Sequence, residues 1–160
     1  MHIFPHGDIK MKETDSNPVL EAIRSRRSIR QFSAEPVTDS QLGEIMEAGR
    51  WAPSGLNNQP WRFYVIRSRD ILGGLAEFTR YGDIIRSSSV CIAVFYHEPS
   101  GYDRDKDMMG IGACIQNMLL AIHSIGLGAV WLGEILKRKD EARELLGVDT
   151  MHELAALMAI

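Results

Sequence analysis

Arginine is concentrated in one short part of the chain, residues 22–32. These eleven positions include four arginines and two serines. A guanidinium group is a planar fork of donors that fits phosphate oxygens and stays charged at every physiological pH, and a serine hydroxyl adds a short donor. The alternative interpretation is a solvated charged surface with no ligand. Because the whole chain has a formal net charge of -3, this local positive charge favours a site for one small phosphorylated ligand.

A second polar segment, residues 52–60, has the sequence A-P-S-G-L-N-N-Q-P. Its two prolines, its glycine and its paired asparagines break both helix and strand, so the pattern predicts a loop. Such a loop can present side-chain amides and backbone amides to a ligand. The apolar residues that follow, in W-R-F-Y-V-I-R, predict a strand over residues 61–67.

Sequence motifs of the common hydrolases, kinases and dinucleotide-binding proteins are absent. There is no G-x-x-x-x-G-K-[ST], no H-E-x-x-H and no G-x-S-x-G, and no Gly-x-Gly extends to G-x-G-x-x-G. His2 and His6 have the spacing of a helical metal pair, but Pro5 and Gly7 disfavour a helix there, so we predict no metal site. Since no nucleophile or general base stands out, we predict no catalytic side chain and expect a cofactor to supply the chemistry.

Composition limits the class of protein further. A chain of 160 residues has the size of one globular domain. A pI near 5.9 argues against a nucleic-acid binder, and no uncharged apolar run reaches the roughly 18 residues that a membrane helix needs. Cys91 and Cys114 lie in apolar runs and no signal peptide precedes them, so we expect reduced, buried thiols in a cytoplasmic protein.

Capping residues and periodicity predict where the elements lie. Because residues 1–16 show no hydrophobic periodicity, we expect them to form a flexible N-terminal arm, followed by one domain over residues 17–160. Helices are predicted over residues 19–26, from residue 38 onward, and over residues 68–78, 107–124 and 139–146. Strands are predicted over residues 61–67, 90–96, 129–132 and 153–160.

Two of these helices carry expectations about their surroundings. In the first helix, Val19, Leu20 and Ile23 are predicted to face inward. The helix over residues 107–124 is apolar on almost every side, and a small monomer rarely buries a helix all round. We therefore infer that a second chain covers part of it.

Three motifs together resemble the nitroreductase family of flavoproteins. They are R-R-S-I-R after a short helix, W-A-P-S-G-L-N-N-Q-P-W-R-F about twenty-five residues later, and G-A-C-I-Q-N-M-L-L-A-I-H-S-I-G-L-G-A-V-W-L-G. The resemblance covers roughly residues 18–160. It implies an α+β nitroreductase-like fold, with a central mixed β-sheet flanked by helices, in a single domain. It also implies an obligate homodimer with FMN bound at the interface.

The resemblance further implies roles for individual residues. The FMN phosphate and ribityl chain would be bound by Arg26, Arg27, Ser28 and Arg30, most directly by Arg26 and Arg30. The segment that reaches the flavin from the other subunit would be Pro53, Ser54, Gly55, Leu56 and Asn57, with Gln59 nearby. The turn whose backbone amides face the pyrimidine edge and N5 would be Leu132, Gly133 and Glu134. Relatives usually add a basic tail after the last strand; as this sequence ends at Ile160, we expect the arginines alone to bind the phosphate.

The implied activity is ping-pong transfer of a hydride from NADH or NADPH to flavin N5, and then to a small flat electrophile such as a nitroaromatic or a quinone. The implied partners are a second copy of the chain and a small-molecule substrate, without nucleic acid or membrane. Two alternatives remain open: a flavin-binding or storage module without turnover, and a specialised chemistry such as reductive dehalogenation or flavin fragmentation.

Overall fold

The part of the chain described here is residues 17–160 of a computed structural model. Its helices are α1 (Pro18–Ser25), α2 (Asp39–Arg50), α3 (Arg69–Ala76), α4 (Gly82–Ser87), α5 (Arg104–Ser124) and α6 (Lys139–Leu145). Its strands are β1 (Trp61–Ile66), β2 (Cys91–His97), β3 (Val130–Leu132) and β4 (His152–Ala159). The expected N-terminal arm, with His2 and His6, lies outside the described residues.

A four-stranded sheet in the order β1-β2-β4-β3 forms the centre of the fold, and each neighbouring pair of strands is antiparallel. The prediction of a mixed sheet is therefore wrong for these strands. Within residues 17–160 the parallel component is limited to an isolated bridge between Ser28 and Ala129. Hydrophobic periodicity identifies a strand but not its direction, which depends on where the connecting helices return the chain.

β2 is buried on both faces, as its continuous apolar sequence predicts. Ile92 and Val94 pack into the cluster formed with α2 and α5 on one side of the sheet. Cys91, Ala93 and Phe95 pack into the cluster formed with α3 and α6 on the other. The domain thus has a helix layer on each side of the sheet.

α2 and α5 pack closely against each other. α2 begins with a capping box, in which the Thr38 hydroxyl accepts from the Gln41 N–H and the Gln41 side chain accepts from the Thr38 N–H. A Cβ atom placed on Gly49 would lie 2.8 Å from the Met118 Cγ atom. The glycine therefore allows the two helices to approach.

α1 forms as predicted, but its apolar side is not buried. The Asn17 side chain accepts from the N–H groups of Val19 and Leu20, which caps the helix. Val19, Leu20 and Ile23 are nevertheless 63%, 38% and 48% exposed, so the inward orientation predicted for them is wrong within one chain. The reason is that α1 lies at the edge of the domain, where α5 is its main contact.

α5 begins three residues earlier than predicted. The Asp103 side chain accepts from the Lys106 N–H at 3.1 Å and so caps a helix that starts at Arg104. One face of α5 packs on the sheet, whereas Met109 on another face is 75% exposed. No helix among the described residues has the length and apolar character to cross a membrane.

Both cysteines are buried free thiols, as predicted. Burial raises the pKa of Cys91 to about 11 and the pKa of Cys114 to about 12. Neither thiol is therefore a nucleophile at neutral pH.

Candidate functional site

Residues 26–30, here called the arginine segment, run beside the start of β3. The Ile29 N–H donates to the Ala129 carbonyl at 2.9 Å, next to the parallel bridge between Ser28 and Ala129. A Cβ atom on Gly128 would lie 2.9 Å from the Cβ atom of Ile29. The absence of a side chain at Gly128 thus allows the segment to lie against the sheet.

Two of the three guanidinium groups of the arginine segment donate to backbone carbonyls, and none has an acidic partner within residues 17–160. Arg27 Nη1 donates to the carbonyls of Arg24 and Arg26 at 2.6 and 2.9 Å, and Arg30 Nη1 donates to the carbonyl of Ser28 at 3.4 Å. Among residues 17–160, no carboxylate lies within 4.0 Å of a guanidinium nitrogen of Arg26, Arg27 or Arg30. Exposed donors without acidic neighbours are suited to binding an anion.

A cavity of about 360 Å³ adjoins the arginine segment. Arg26 and Arg27 line one side, and the C-terminal end of α5 with the turn at Gly126–Gly128 lines the other. His123 lies in this wall, and its Nε2 atom is 2.7 Å from the Ser25 hydroxyl. This contact gives the imidazole of His123, at the C-terminal end of α5, a hydrogen-bond partner within the fold.

Leu132 is the last residue of β3, and Gly133 and Glu134 begin the turn that follows it. Leu132 is buried, Gly133 is exposed, and Gly133 follows Ala129 by four residues, which is about 13 Å of extended chain. The arginine segment therefore pairs with the start of β3, and the turn follows the end of the same strand. These two predicted parts of the site lie along the same edge of the sheet.

The carboxylate of Glu134 is occupied by contacts within the fold. Its Oε2 atom accepts from the Thr79 hydroxyl at 2.7 Å and from the Arg80 N–H at 3.2 Å, and Lys137 Nζ lies 3.2 Å from Oε1. The hydrogen bond from Thr79, followed by that from Lys137, holds the pKa of Glu134 below its usual range. What this turn can offer to a ligand is therefore its backbone rather than the carboxylate.

Residues 53–59, here called the amide segment, form a tight loop with a 3-10 turn at Gly55–Asn57. Leu56, Asn57 and Gln59 have φ angles of 54°, 54° and 45°, a left-handed conformation that is uncommon outside glycine. Two internal hydrogen bonds that involve side chains hold the loop at 3.1 Å, from the Gln59 N–H to the Ser54 hydroxyl and from Gln59 Nε2 to Asn57 Oδ1. Leu56 projects outward and is 85% exposed.

A buried carboxylate ties the amide segment to α5. Asp107 is 1% exposed, and its Oδ1 atom accepts from Asn58 Nδ2 at 2.8 Å. Its Oδ2 atom accepts from the Tyr102 N–H at 2.9 Å and from the Tyr96 hydroxyl at 3.4 Å. A buried charge requires such partners. Sequence reasoning missed the roles of Asp107 and Asn58, for which the available signal was one acidic residue at the start of an apolar helix.

Within one chain, the arginine segment and the amide segment lie at opposite ends of α5. A Cβ atom on Gly110 would lie 3.4 Å from the carbonyl oxygen of Pro53, whereas His123 contacts Ser25 beside the arginines. Gly110 and His123 are thirteen residues apart on one helix, which separates them by about 20 Å along its axis. The structure thus brings the arginines and Leu132–Glu134 to one edge, but not the amide segment.

No group of three or more His, Cys, Asp or Glu side chains in the described residues is arranged to bind a metal ion. Apart from the Glu134 carboxylate and the His123 imidazole, which have partners within the fold, the polar groups at the edge beside β3 are guanidinium groups, hydroxyls and backbone amides. These donors suit an anionic or heteroaromatic ligand better than a cation.

Comparison with known proteins gives a consistent result. The chain matches the model of the nitroreductase family over residues 23–88 and 76–160. It is 36% identical over 132 residues, 81% of this chain and 76% of the other, to a protein of Archaeoglobus fulgidus named as a candidate NADH dehydrogenase/NAD(P)H nitroreductase. It is also 36% identical over 128 residues, 80% of this chain and 65% of the other, to a protein of Methanothermobacter thermautotrophicus with the same name.

A solved structure is also similar. It is described as a candidate nitroreductase from Desulfovibrio desulfuricans in complex with FMN. It superposes with a TM-score of 0.87 at 49% identity, covering 91% of this chain and 86% of that one. At this identity the likeness extends beyond the fold to much of the sequence.

Proposed function

Because the chain belongs to the nitroreductase family, we propose that it is an oxidoreductase that binds FMN and uses NAD(P)H as its reductant. The observation on which the proposal mainly rests is the arginine segment. Its guanidinium groups have no acidic neighbour among the described residues, and its backbone pairs with the start of the strand that ends at Leu132. The FMN complex of the similar Desulfovibrio structure and the NAD(P)H-based names of the relatives support the choice of cofactor and reductant.

The residues present fit the chemical groups of FMN. Arg26, Arg27, Ser28 and Arg30 would bind the phosphate and the ribityl chain, since guanidinium and hydroxyl donors match phosphate and sugar oxygens. The backbone N–H groups of the turn after β3 would face the polar edge of the isoalloxazine ring. An N–H group directed there favours negative charge on the reduced ring and so adjusts its readiness to accept a hydride.

We include a homodimer in this proposal, because one chain separates the two predicted halves of the site by about 20 Å. A second copy, related by a twofold axis, could bring its amide segment to the arginine segment of the first. Exposed apolar side chains support this arrangement, in particular Trp51 at 79%, Leu56 at 85% and Met109 at 75% exposure. The apolar side of α1 would be covered in the same way.

The reaction that we propose is a ping-pong hydride transfer. Bound FMN would supply the redox chemistry, taking a hydride from NAD(P)H at N5 and giving it to a small flat electrophile such as a nitroaromatic or a quinone. The protein would bind and orient the cofactor and exclude water, which agrees with the absence of a catalytic motif in the sequence. We place the reaction in the cytoplasm, where NAD(P)H is supplied and free thiols such as Cys91 and Cys114 stay reduced.

The visible spectrum of the purified protein tests this function. We expect a yellow protein that releases FMN on denaturation and loses its flavin absorbance when NADH or NADPH is added without oxygen. A subsequent quinone or nitroaromatic should restore the oxidised spectrum. A protein that stays colourless after incubation with FMN would refute the proposal, and one that binds flavin but is reduced by neither nicotinamide would indicate a flavin-binding or storage module.

A further inference from the structure

Arg62, the second residue of β1, connects the amide segment to a histidine at the end of β2. Its Nη1 atom donates to the carbonyl of Gln59 at 3.3 Å and to that of Trp61 at 2.7 Å. Its Nη2 atom donates to the Ser100 hydroxyl at 2.9 Å and lies 3.1 Å from His97 Nδ1. One partly buried guanidinium group therefore joins three parts of the chain.

The contact with Gln59 matters because of the backbone conformation there. Gln59 closes the amide segment with a φ angle of 45°, which a residue other than glycine adopts only when its surroundings hold it. The Ser54 hydroxyl holds its N–H group and Arg62 holds its carbonyl group. Without Arg62, the carbonyl group of Gln59 loses its hydrogen bond from the guanidinium group.

The contact between Arg62 and His97 depends on the protonation state of the imidazole. A guanidinium group has donors only, so the contact between Arg62 and His97 Nδ1 is a hydrogen bond only while that nitrogen carries no proton and accepts. The Ser100 hydroxyl, 2.6 Å from the same nitrogen, can donate to it while accepting from Arg62. A proton on Nδ1 would face the guanidinium donor of Arg62 and place a second positive charge beside it.

The charged and titratable groups that face His97 come from three elements. They are Arg62 of β1, His152 of β4, whose ring centroid is 4.7 Å away, and Asp149 in the turn before β4. Asp149 is 2.8 Å from His152 Nδ1. Burial, followed by the charges of Arg62 and His152, lowers the pKa of His97 from its ordinary value of 6.5, and Asp149 opposes this only weakly.

We propose that Arg62 is a positioning residue that holds the amide segment in its flavin-binding shape while His97 is neutral, and that protonation of His97 releases this segment. The proposal rests on the proposed function, because it assumes that the amide segment contacts FMN bound by a partner chain. It goes further by making flavin affinity depend on a histidine that lies outside the predicted cofactor-binding residues.

The direction of the pH effect follows from the lowered pKa. A histidine whose folded-state pKa lies below that of the unfolded chain stabilises the fold fully above pH 6.5, and the stabilisation is lost as the pH falls through the folded-state value. The support from Arg62 should therefore be complete at neutral pH. It should weaken as acid protonates His97.

The first test is the dissociation constant of FMN from the apoprotein, measured by flavin fluorescence between about pH 5 and about pH 8. Arg62→Ala should weaken binding about tenfold at the upper pH, and Arg62→Lys should weaken it less, since lysine keeps the charge but cannot reach both acceptors. His97→Asn places an acceptor near the Nδ1 position and cannot titrate. Its affinity should fall less in acid than that of the unaltered protein.

Arg67→Ala serves as the matched control. Arg67 directly follows β1, and its guanidinium group pairs with Asp39, 2.7 Å away, rather than with the amide segment. Its removal should leave both the affinity and the pH profile unchanged. Thermal unfolding of each apoprotein verifies that the variants are folded.

The second test does not require flavin. Hydrogen exchange of the amides in residues 53–59 of the apoprotein, corrected for the intrinsic pH dependence, should be faster in Arg62→Ala. It should also accelerate in acid for the unaltered protein but not for His97→Asn. Normal FMN affinity in Arg62→Ala, or a pH profile in His97→Asn as steep as in the unaltered protein, would overturn the inference and leave the proposed function intact. If the unaltered protein binds no FMN, the proposed function fails, and the exchange rates still decide the role of Arg62.

Discussion

At the scale of single residues, the arginine segment gives the most direct prediction. Arg30→Ala removes an exposed guanidinium group whose one partner among residues 17–160 is the Ser28 carbonyl, at 3.4 Å. We expect the affinity for FMN to fall about tenfold to a hundredfold, because a charge-assisted contact to phosphate is lost. The free energy of unfolding of the apoprotein should change by less than about 0.5 kcal/mol, since no buried contact changes. Flavin fluorescence titration and urea unfolding measure the two quantities.

Arg67→Ala is again the appropriate control, because it removes another exposed arginine from outside the predicted site. If both arginine variants weakened FMN binding equally, general electrostatic attraction would explain the affinity better than a phosphate site. If Arg30→Ala destabilised the apoprotein markedly, the arginine would have a structural role instead.

Single residues also differ in how visible their roles are in the sequence. The arginines could be selected because their donors and their local concentration already describe an anion site. The hydrogen bond from Asn58 to Asp107 spans 49 positions, and no local pattern joins the two. Glu134 could be placed in a turn, but only the fold shows that Thr79 occupies its carboxylate. Local chemistry is readable from a sequence, whereas pairing at long range depends on the fold.

At the scale of elements, two glycines of α2 give opposite predictions for the same substitution. A Cβ atom on Gly49 would lie 2.8 Å from Met118 Cγ and 3.0 Å from Cys114 Sγ, whereas none of the described atoms outside the helix backbone lies within 4 Å of a Cβ atom on Gly43. Gly49→Ala should lower the free energy of unfolding by about 1 to 3 kcal/mol through overpacking. Gly43→Ala should raise it by about 0.5 to 1 kcal/mol, because alanine restricts the unfolded chain and favours helix.

Urea unfolding of the two variants measures these changes, provided that the free energy of unfolding depends on urea concentration with the same slope in each variant. Stabilisation by both substitutions would mean that α2 and α5 can separate without cost, which would contradict the close packing at Gly49. Destabilisation by both would mean that Gly43 is covered in solution, for example by a second chain.

The elements themselves were largely predictable, because their signals are local. Thr38 with Gln41 marks the start of α2, and the apolar run of β2 marks a covered inner strand. Strand direction cannot be predicted from periodicity, and the mixed sheet that the family resemblance implied is wrong for the four described strands, which are antiparallel. The side chains of Val19, Leu20 and Ile23 were placed inward because an apolar stripe indicates burial but does not say by which chain.

At the scale of the whole molecule, each chain carries the two predicted parts of the flavin site but holds them apart. The arginine segment lies near one end of α5 and the amide segment near the other. In a twofold dimer, each composite site would combine the arginines of one chain with the amides of the other. This geometry makes a prediction that does not depend on knowing the interface in detail.

Mixing two defective chains should therefore restore flavin binding. Arg26→Ala/Arg30→Ala impairs one half of the site and Asn57→Ala/Gln59→Ala the other, so each homodimer should bind little FMN. Random reassociation of equal amounts gives about half heterodimers, each with one intact and one doubly impaired site, or about a quarter of the unaltered number of sites. Fluorescence titration after unfolding and joint refolding measures this number, and each variant refolded alone is the control. A site contained within one chain would gain nothing from mixing, and that result would refute the shared site while leaving FMN binding itself open to the spectral test.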